Sequence, residues 1–119
     1  MYVLNCRIKN ETIKDRNYLS IDVSDVLPTL RGFLTKLSEG NISALCLVDS
    51  LSNQRTVLKM GRSNAFSGGI LACSSDTAEV IIKLIDDCLS GKAFPGYHFD
   101  YETSNRVNVT FWLKNGVRK

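Results

Sequence analysis

The most constraining feature of this chain is the strict alternation of apolar and polar residues near its end, in the runs YHFDYE (97–102) and VNVTFWL (107–113). A period of two is typical of a strand with one buried face. A shift of one residue would turn every side chain to the opposite face, so the two runs can form a hairpin only in registers that keep like faces together. A three-residue loop, 103–105, meets this condition and puts Asn105 where a left-handed backbone is tolerated.

This register predicts which polar side chains share a face. It pairs Glu102 with Arg106, Asp100 with Asn108 and His98 with Thr110. It also puts Trp112 on the polar face, diagonal to His98. The hairpin is therefore expected to present an indole ring among acidic side chains.

Two helices are predicted ahead of the hairpin. The first is capped by Ser24, has Pro28 in its first turn and ends at Gly40. Its apolar stripe consists of Leu27, Leu30, Leu34 and Leu37. The second starts at Asp76, with Glu79 three residues later as in a capping box, and ends at Gly91. Its core stripe is Ala78, Ile81, Ile82, Ile85, Cys88 and Leu89, and its polar face is Glu79, Lys83, Asp86 and Asp87.

The remaining apolar runs predict strands. Residues 4–8 and 19–23 alternate around a polar turn, 10–17, and indicate a hairpin. The run ISALCLV (42–48) is apolar enough to be buried on both faces, and QRTVLKM (54–60) is expected to pair with it. Residues 70–73 form a short strand. We therefore expect one α+β domain, 1–119, with a largely antiparallel sheet of about six strands and two helices packed mainly on one face.

Composition limits the class of protein. The chain has 119 residues, 44% hydrophobic and 23% charged, which is typical of a soluble globular domain. The first residues lack the apolar core of a signal peptide and no run is long enough to span a bilayer, so we expect a cytoplasmic protein. Four cysteines without a Cys-x-x-Cys pair are expected to be buried thiols, and no metal, disulfide or cofactor is predicted.

The stretch NAFSGGILACSSDTAEVII (64–82) places glycines and serines near a helix start, as phosphate-binding loops do. It lacks the Gly-Lys-Ser/Thr ending of a P-loop and the spacing of a dinucleotide fingerprint. Asp76 and Glu79 would already occupy the positive end of the helix dipole. We interpret the stretch as a loop, a short strand and a capped helix.

No pattern predicts an enzyme. The lone histidine, His98, lies two residues from Asp100, which could orient its ring, but a half-exposed strand residue is the simpler interpretation. The neighbouring carboxylates Asp86 and Asp87 are expected to be solvated. The four basic residues from Arg106 onward are a weak footprint for nucleic acid, and binding to it is not expected.

The charge distribution favours a protein partner. The net charge is +3, but residues 61–105 hold three basic and six acidic side chains. Tryptophan is a residue type that often anchors interfaces, and nearby acids would steer a basic partner. The predicted partner-binding residues are Asp86, Asp87, His98, Asp100, Glu102 and Trp112. The alternative is that another element covers Trp112.

The layout as a whole resembles the small immunity proteins of bacterial contact-dependent growth-inhibition systems and other polymorphic toxins. The resemblance lies in a strand pair, the capped helix VSDVLPTLRGFLTKLSEG, the strands ISALCLV and QRTVLKM, the helix SSDTAEVIIKLIDDCLSG and a closing hairpin. It implies a protein that neutralises a toxin, such as a nuclease, by covering its active site. Immunity proteins against nucleases are commonly acidic, and the net charge of +3 departs from that pattern.

Two other functions remain open at this point. A small-molecule-sensing domain would need an apolar cavity between the helices and the sheet. A small hydrolase would need His98 next to a nucleophile.

Overall fold

The computed structural model describes residues 2–92 and 96–113. Within these residues the chain forms eight strands and two α-helices. In chain order the elements are β1 (Tyr2–Ile13), β2 (Arg16–Asp22), α1 (Leu27–Ser38), β3 (Leu45–Asp49), β4 (Arg55–Met60), β5 (Ala65–Ser67), β6 (Ile70–Cys73), α2 (Ser75–Asp87), a π-helical turn (Cys88–Lys92), β7 (Tyr97–Glu102) and β8 (Val107–Leu113).

The described strands form one sheet in the order β5-β6-β4-β3-β1-β2-β8-β7. The α+β class with two helices is confirmed, but the expectation of about six largely antiparallel strands is wrong. Consecutive strands that pair with each other are antiparallel, as β1 is with β2 and β7 with β8. Three contacts between non-consecutive strands are parallel: β1 with β3, β2 with β8 and β4 with β6. The sheet is therefore mixed.

The long strand β1 joins two halves of the sheet. Its first part, up to Cys6, pairs with β3, and its second part, from Arg7, pairs with β2. The sheet curls so that β5 meets the loop between β7 and β8. There the Ser104 amide donates to the Asn64 carbonyl (2.7 Å) and the Asn105 side chain donates to the Phe66 carbonyl (2.6 Å).

Both helices pack on the same face of the sheet, which we call the inner face; the opposite face is the outer face. A small cavity shows the packing, because it is lined by Leu27 and Leu30 of α1, Ile81 and Ile85 of α2 and Phe111 of β8. The leucine stripe of α1 is buried, as predicted. In α2, Ala78, Ile81 and Ile85 are buried and so is Cys88 beyond its end, but Leu89 is 42% exposed.

Two turns are tighter than the sequence pattern predicts. The predicted turn over 10–17 contracts to Lys14 and Asp15, both at positive φ, and β1 and β2 extend up to them. Gly68 and Gly69 have φ of 59° and 77° and join β5 to β6. Two residues of positive φ suit a two-residue hairpin turn. The glycine-rich stretch therefore builds a hairpin, and its strand β5 was not predicted.

The two helix starts differ from their predictions. In α1 the N-cap residue is Val26, which makes no side-chain cap, so the predicted Ser24 cap is wrong. The Ser24 amide and hydroxyl donate instead to Asp22 Oδ1. In α2 the cap is Ser74, two residues before the predicted start, and its hydroxyl accepts from the Thr77 amide. Pro28 and Gly40 lie at the start and just past the end of α1, as predicted.

A buried carboxylate lies where β1 leaves β3. The side chain of Asp49 is 3% exposed, and its Oδ1 accepts from the Ile8 amide (2.8 Å) and Arg7 Nε (3.0 Å). Its Oδ2 accepts from the amide and the hydroxyl of Ser52. The Ile8 amide is the largest cause that holds the pKa of Asp49 well below its usual range. Asp49 thus ends the β1–β3 pairing while satisfying the amide that follows.

We expect Thr56→Val to stabilise the protein by about 1 kcal/mol. Thr56 is fully buried on β4, and its hydroxyl has no hydrogen-bond partner among the described residues. Valine has nearly the same shape and leaves no polar atom to desolvate. Urea unfolding of the two proteins measures the difference. A less stable variant would indicate that the hydroxyl has a partner, such as a buried water.

Candidate partner-binding face

The outer face of β2, β8 and β7 carries the hairpin's polar side chains in three rows across the strands. Each row is a set of residues paired in the sheet register. The first row is Asp22, Trp112 and His98; the second is Ser20, Thr110 and Asp100; the third is Tyr18, Asn108 and Glu102. We call this set the acidic face.

The predicted hairpin register is wrong by one loop position. The loop has three residues, as predicted, but it is 104–106, and the left-handed residue is Arg106 (φ 64°) and not Asn105. Pairing shifts accordingly: Asp100 lies opposite Thr110 and Glu102 opposite Asn108. His98 lies opposite Trp112, so their predicted diagonal relation is also wrong. Since the shift is by two residues in the pairing, the faces keep their predicted membership.

Local contacts explain the shift. The Val107 amide donates to Thr103 Oγ1, and the Thr103 amide donates to the Val107 carbonyl, so these residues close the loop. Asn105 is used elsewhere, because its side chain binds both backbone groups of Phe66 in β5. The contact with β5 depends on the curl of the sheet, which the hairpin sequence does not encode.

The side chains in the first two rows of the acidic face are partly ordered by hydrogen bonds. His98 Nδ1 lies 2.8 Å from the Gly96 carbonyl oxygen, and Nε2 lies 3.1 Å from Asp100 Oδ2. The Thr110 hydroxyl donates to Asp100 Oδ1 (2.6 Å). The carboxylate of Asp100 is therefore oriented and still 57% exposed. Trp112 is half-buried.

A shallow groove of about 350 Å³ lies beside these groups. It is lined by Tyr18, Asp100, Tyr101, Glu102, Asn108 and Thr110. Tyr18 and Asp22 were not among the predicted site residues. Their alternation with Leu19 and Ile21 shows that they share a face, but only the parallel pairing of β2 with β8 brings that face next to the hairpin.

Asp86 and Asp87 do not join this face. Both lie on α2, in the helical layer across the sheet from the outer face. Asp86 forms an ion pair with Arg31 of α1, with Nη2 3.3 Å from Oδ2, and this hydrogen bonding lowers the pKa of Asp86. The expectation that the helix acids and the hairpin acids form one surface is therefore wrong, because the sheet separates them.

The charge of the acidic face is centred on Asp100. Glu102 lies at the loop end, where it shares a pocket of about 470 Å³ with Arg16 and Arg106. Asp22, on the first row, holds the backbone after β2 through Ser24. Asp100 is the exposed carboxylate in the middle row of the face, and it contacts Thr110 and His98.

The other half of the outer face has a different character. A row of apolar side chains crosses β1, β3, β4 and β6 in register: Val3, Cys46, Val57 and Ile70. Val3 is 53% and Ile70 39% exposed. Basic Arg55 and Lys59 flank this row on β4 and are exposed. The outer face is therefore acidic on one side and apolar and basic on the other.

The structure also bears on the two alternative functions. The apolar cavity between the helices and the sheet has a volume of about 10 Å³, which is room for about one water and not for a small-molecule ligand. Among the described residues, the ring nitrogens of His98 contact a backbone carbonyl and a carboxylate and not a serine or cysteine. That geometry offers no activated nucleophile.

All four cysteines are buried, as predicted. Burial raises the pKa of Cys6 to about 12 and that of Cys73 to about 11, so both are held as thiols. In the described part of the chain, no group of three or more His, Cys, Asp or Glu side chains is arranged to hold a metal ion. No helix there has the length and apolarity needed to cross a membrane.

Comparison of the chain with known proteins gives no family model, no curated protein and no solved structure that matches it.

Proposed function

We propose that this chain is a non-catalytic protein-binding module, and specifically a cytoplasmic immunity protein that binds a cognate bacterial toxin and covers its active site. The observation that supports this most is the acidic face. It places an oriented, exposed Asp100 one row away from a half-buried Trp112 on the outer face of the sheet. A carboxylate and an aromatic ring on one surface suit recognition of lysine and arginine side chains.

The proposed partner is a toxin domain with a basic active-site region, as a nuclease has. Such a region binds a polyanion, and a protein that carries carboxylates at the right positions can occupy it in the polyanion's place. The net charge of +3 does not oppose this, because the two halves of the outer face differ in sign and only one half would meet the toxin. The affinity would depend on the local field.

The experiment that tests the function is co-expression. In the native genome, the reading frame next to this one is expected to encode a large secreted protein with a variable C-terminal domain. Expression of that domain alone is expected to stop bacterial growth, and co-expression of this chain is expected to restore it. Growth arrest that persists with the chain present, or a genome without such a neighbour, would contradict the proposal.

A further inference from the structure

Strand β7 forms one end of the sheet, and its outward edge has no neighbour among the described strands. The Thr103 amide donates to the Val107 carbonyl, and this bond sets which backbone groups of β7 face β8. In an antiparallel pair, hydrogen-bonded and non-hydrogen-bonded residues alternate. The backbone N–H and C=O groups of the odd-numbered residues of β7 therefore point to β8. Those of His98, Asp100 and Glu102 point to the open edge.

The side chains on this edge differ between the two faces of the sheet. On the outer face the edge presents His98, Asp100 and Glu102, all exposed. On the inner face it presents the half-buried rings of Phe99 and Tyr101, whose centroids lie 5.5 Å apart. A strand added here would gain main-chain hydrogen bonds, cover more of these rings and place its outward side chains beside the carboxylates.

The carboxylates of β7 determine which kind of strand can be added at its open edge. In a two-fold antiparallel pairing of β7 with a second copy, centred on Asp100, the two Asp100 carboxylates would lie opposite each other. Like charges directly opposite are destabilising, and acids on an edge strand protect it from such self-pairing. A strand with lysine or arginine at two positions separated by one residue would instead place a cation beside Asp100 and another beside Glu102.

We propose that the open edge of β7 receives an extended strand of a protein partner, with basic residues at alternate positions beside Asp100 and Glu102. This deepens the proposed function, since it gives the mode by which the acidic face holds its partner. It does not need the partner to be a toxin.

The test uses synthetic peptides of about seven residues, the length of an ordinary strand. One peptide alternates lysine with valine, the second alternates glutamate with valine, and the third is the lysine peptide with alternate backbone amides methylated. Binding to the full chain is followed by NMR. The lysine peptide is expected to protect the amide protons of His98, Asp100 and Glu102 from solvent exchange. The glutamate and methylated peptides are expected to bind at least about tenfold more weakly.

A matched pair of variants distinguishes the contribution of the His98 backbone N–H to binding from that of its side chain. His98→Ala removes the imidazole, whereas His98→Pro also removes the N–H that faces the open edge and puts a ring in its place. Proline is expected to weaken binding of the lysine peptide about tenfold relative to alanine. Circular dichroism checks that both variants fold. If His98→Pro does not fold, the methylated peptide still tests the main-chain hydrogen bonds, because it removes N–H groups from the peptide and not from β7.

Several results would overturn the strand-addition proposal. These are failure of the lysine peptide to bind, equal binding of the glutamate or methylated peptide, protection at a different surface, and dimerisation of the chain through β7. If a toxin partner is neutralised but the His98→Pro and His98→Ala variants protect cells equally, the proposed function stands and the strand-addition mode is wrong. If the peptide results are as expected but no toxin is neutralised, the reverse holds.

Discussion

Asp49→Ala is expected to lower the free energy of unfolding by about 3 kcal/mol. The carboxylate is buried and accepts four hydrogen bonds, from Arg7, Ile8 and Ser52. Its removal leaves the buried Ile8 amide without an acceptor at the point where β1 passes from β3 to β2. Because natural domains are stable by only about 5–15 kcal/mol, this is a large part of the total. Urea unfolding monitored by circular dichroism measures it.

Asp86→Ala is the matched control. Asp86 also accepts from an arginine, but both partners are exposed, with 41% and 47% of their side chains accessible. Solvent screens such a pair and the long arginine side chain is costly to immobilise, so its removal is expected to change stability little. Equal losses for the two variants would contradict the role given to Asp49.

The same carboxylate predicts a pH dependence. The folded-state pKa of Asp49 is lowered, so the folded protein binds a proton less readily than the unfolded chain. Its contribution to stability is therefore complete above the unfolded pKa, about 4, and is lost as the pH falls towards the lower folded value. The stability difference between the native protein and Asp49→Ala is expected to shrink below about pH 4. A difference that stays constant into strong acid would show that hydrogen bonds to the charged form are not its source.

Local sequence pattern predicted the elements whose signal lies within one segment. The leucine stripe of α1 and the alternation of β7 and β8 depend on periodicity alone, and both describe the observed faces. The elements that the pattern missed or misplaced also have local explanations. The three-residue strand β5 is too short to show a period, and Ser24 was available as a cap but binds Asp22 in its place.

The long-range pairings could not be predicted in the same way. Nothing within β2 or β8 indicates that they pair in parallel, since strand partners are chosen by how the whole core closes. This one pairing brings Tyr18 and Asp22 to the acidic face. The prediction that Asp86 lies near the hairpin acids was wrong for a related reason. Closeness in sequence to the hairpin does not determine which side of the sheet α2 occupies. The position of Asp49 did carry a signal, an acid directly after a fully buried run.

Asp100→Lys is expected to weaken binding of the partner about a hundredfold, with a melting curve close to that of the native protein. The side chain is exposed, and its contacts inside the chain are with the Thr110 hydroxyl and with the exposed ring of His98, so the cost to folding is small. Reversal of the charge replaces an attraction with a repulsion at the centre of the acidic face. Isothermal titration calorimetry with the proposed toxin partner measures the change. Trp112→Ala is a less clean test, because the half-buried indole also packs within the chain.

Asp86→Lys again supplies the comparison, since it makes the same change of charge on the helical layer, across the sheet from Asp100. Long-range steering by total charge would weaken binding in both variants alike, and raising the salt concentration would abolish the effect. Direct contact would leave Asp86→Lys close to native and keep most of the Asp100→Lys loss at high salt. The acidic face is the docking surface only if the two charge reversals differ in this way. If the Asp100→Lys and Asp86→Lys variants bind the partner with equal affinity, the partner docks elsewhere. The next surface to change is then the apolar and basic row on β1, β3, β4 and β6.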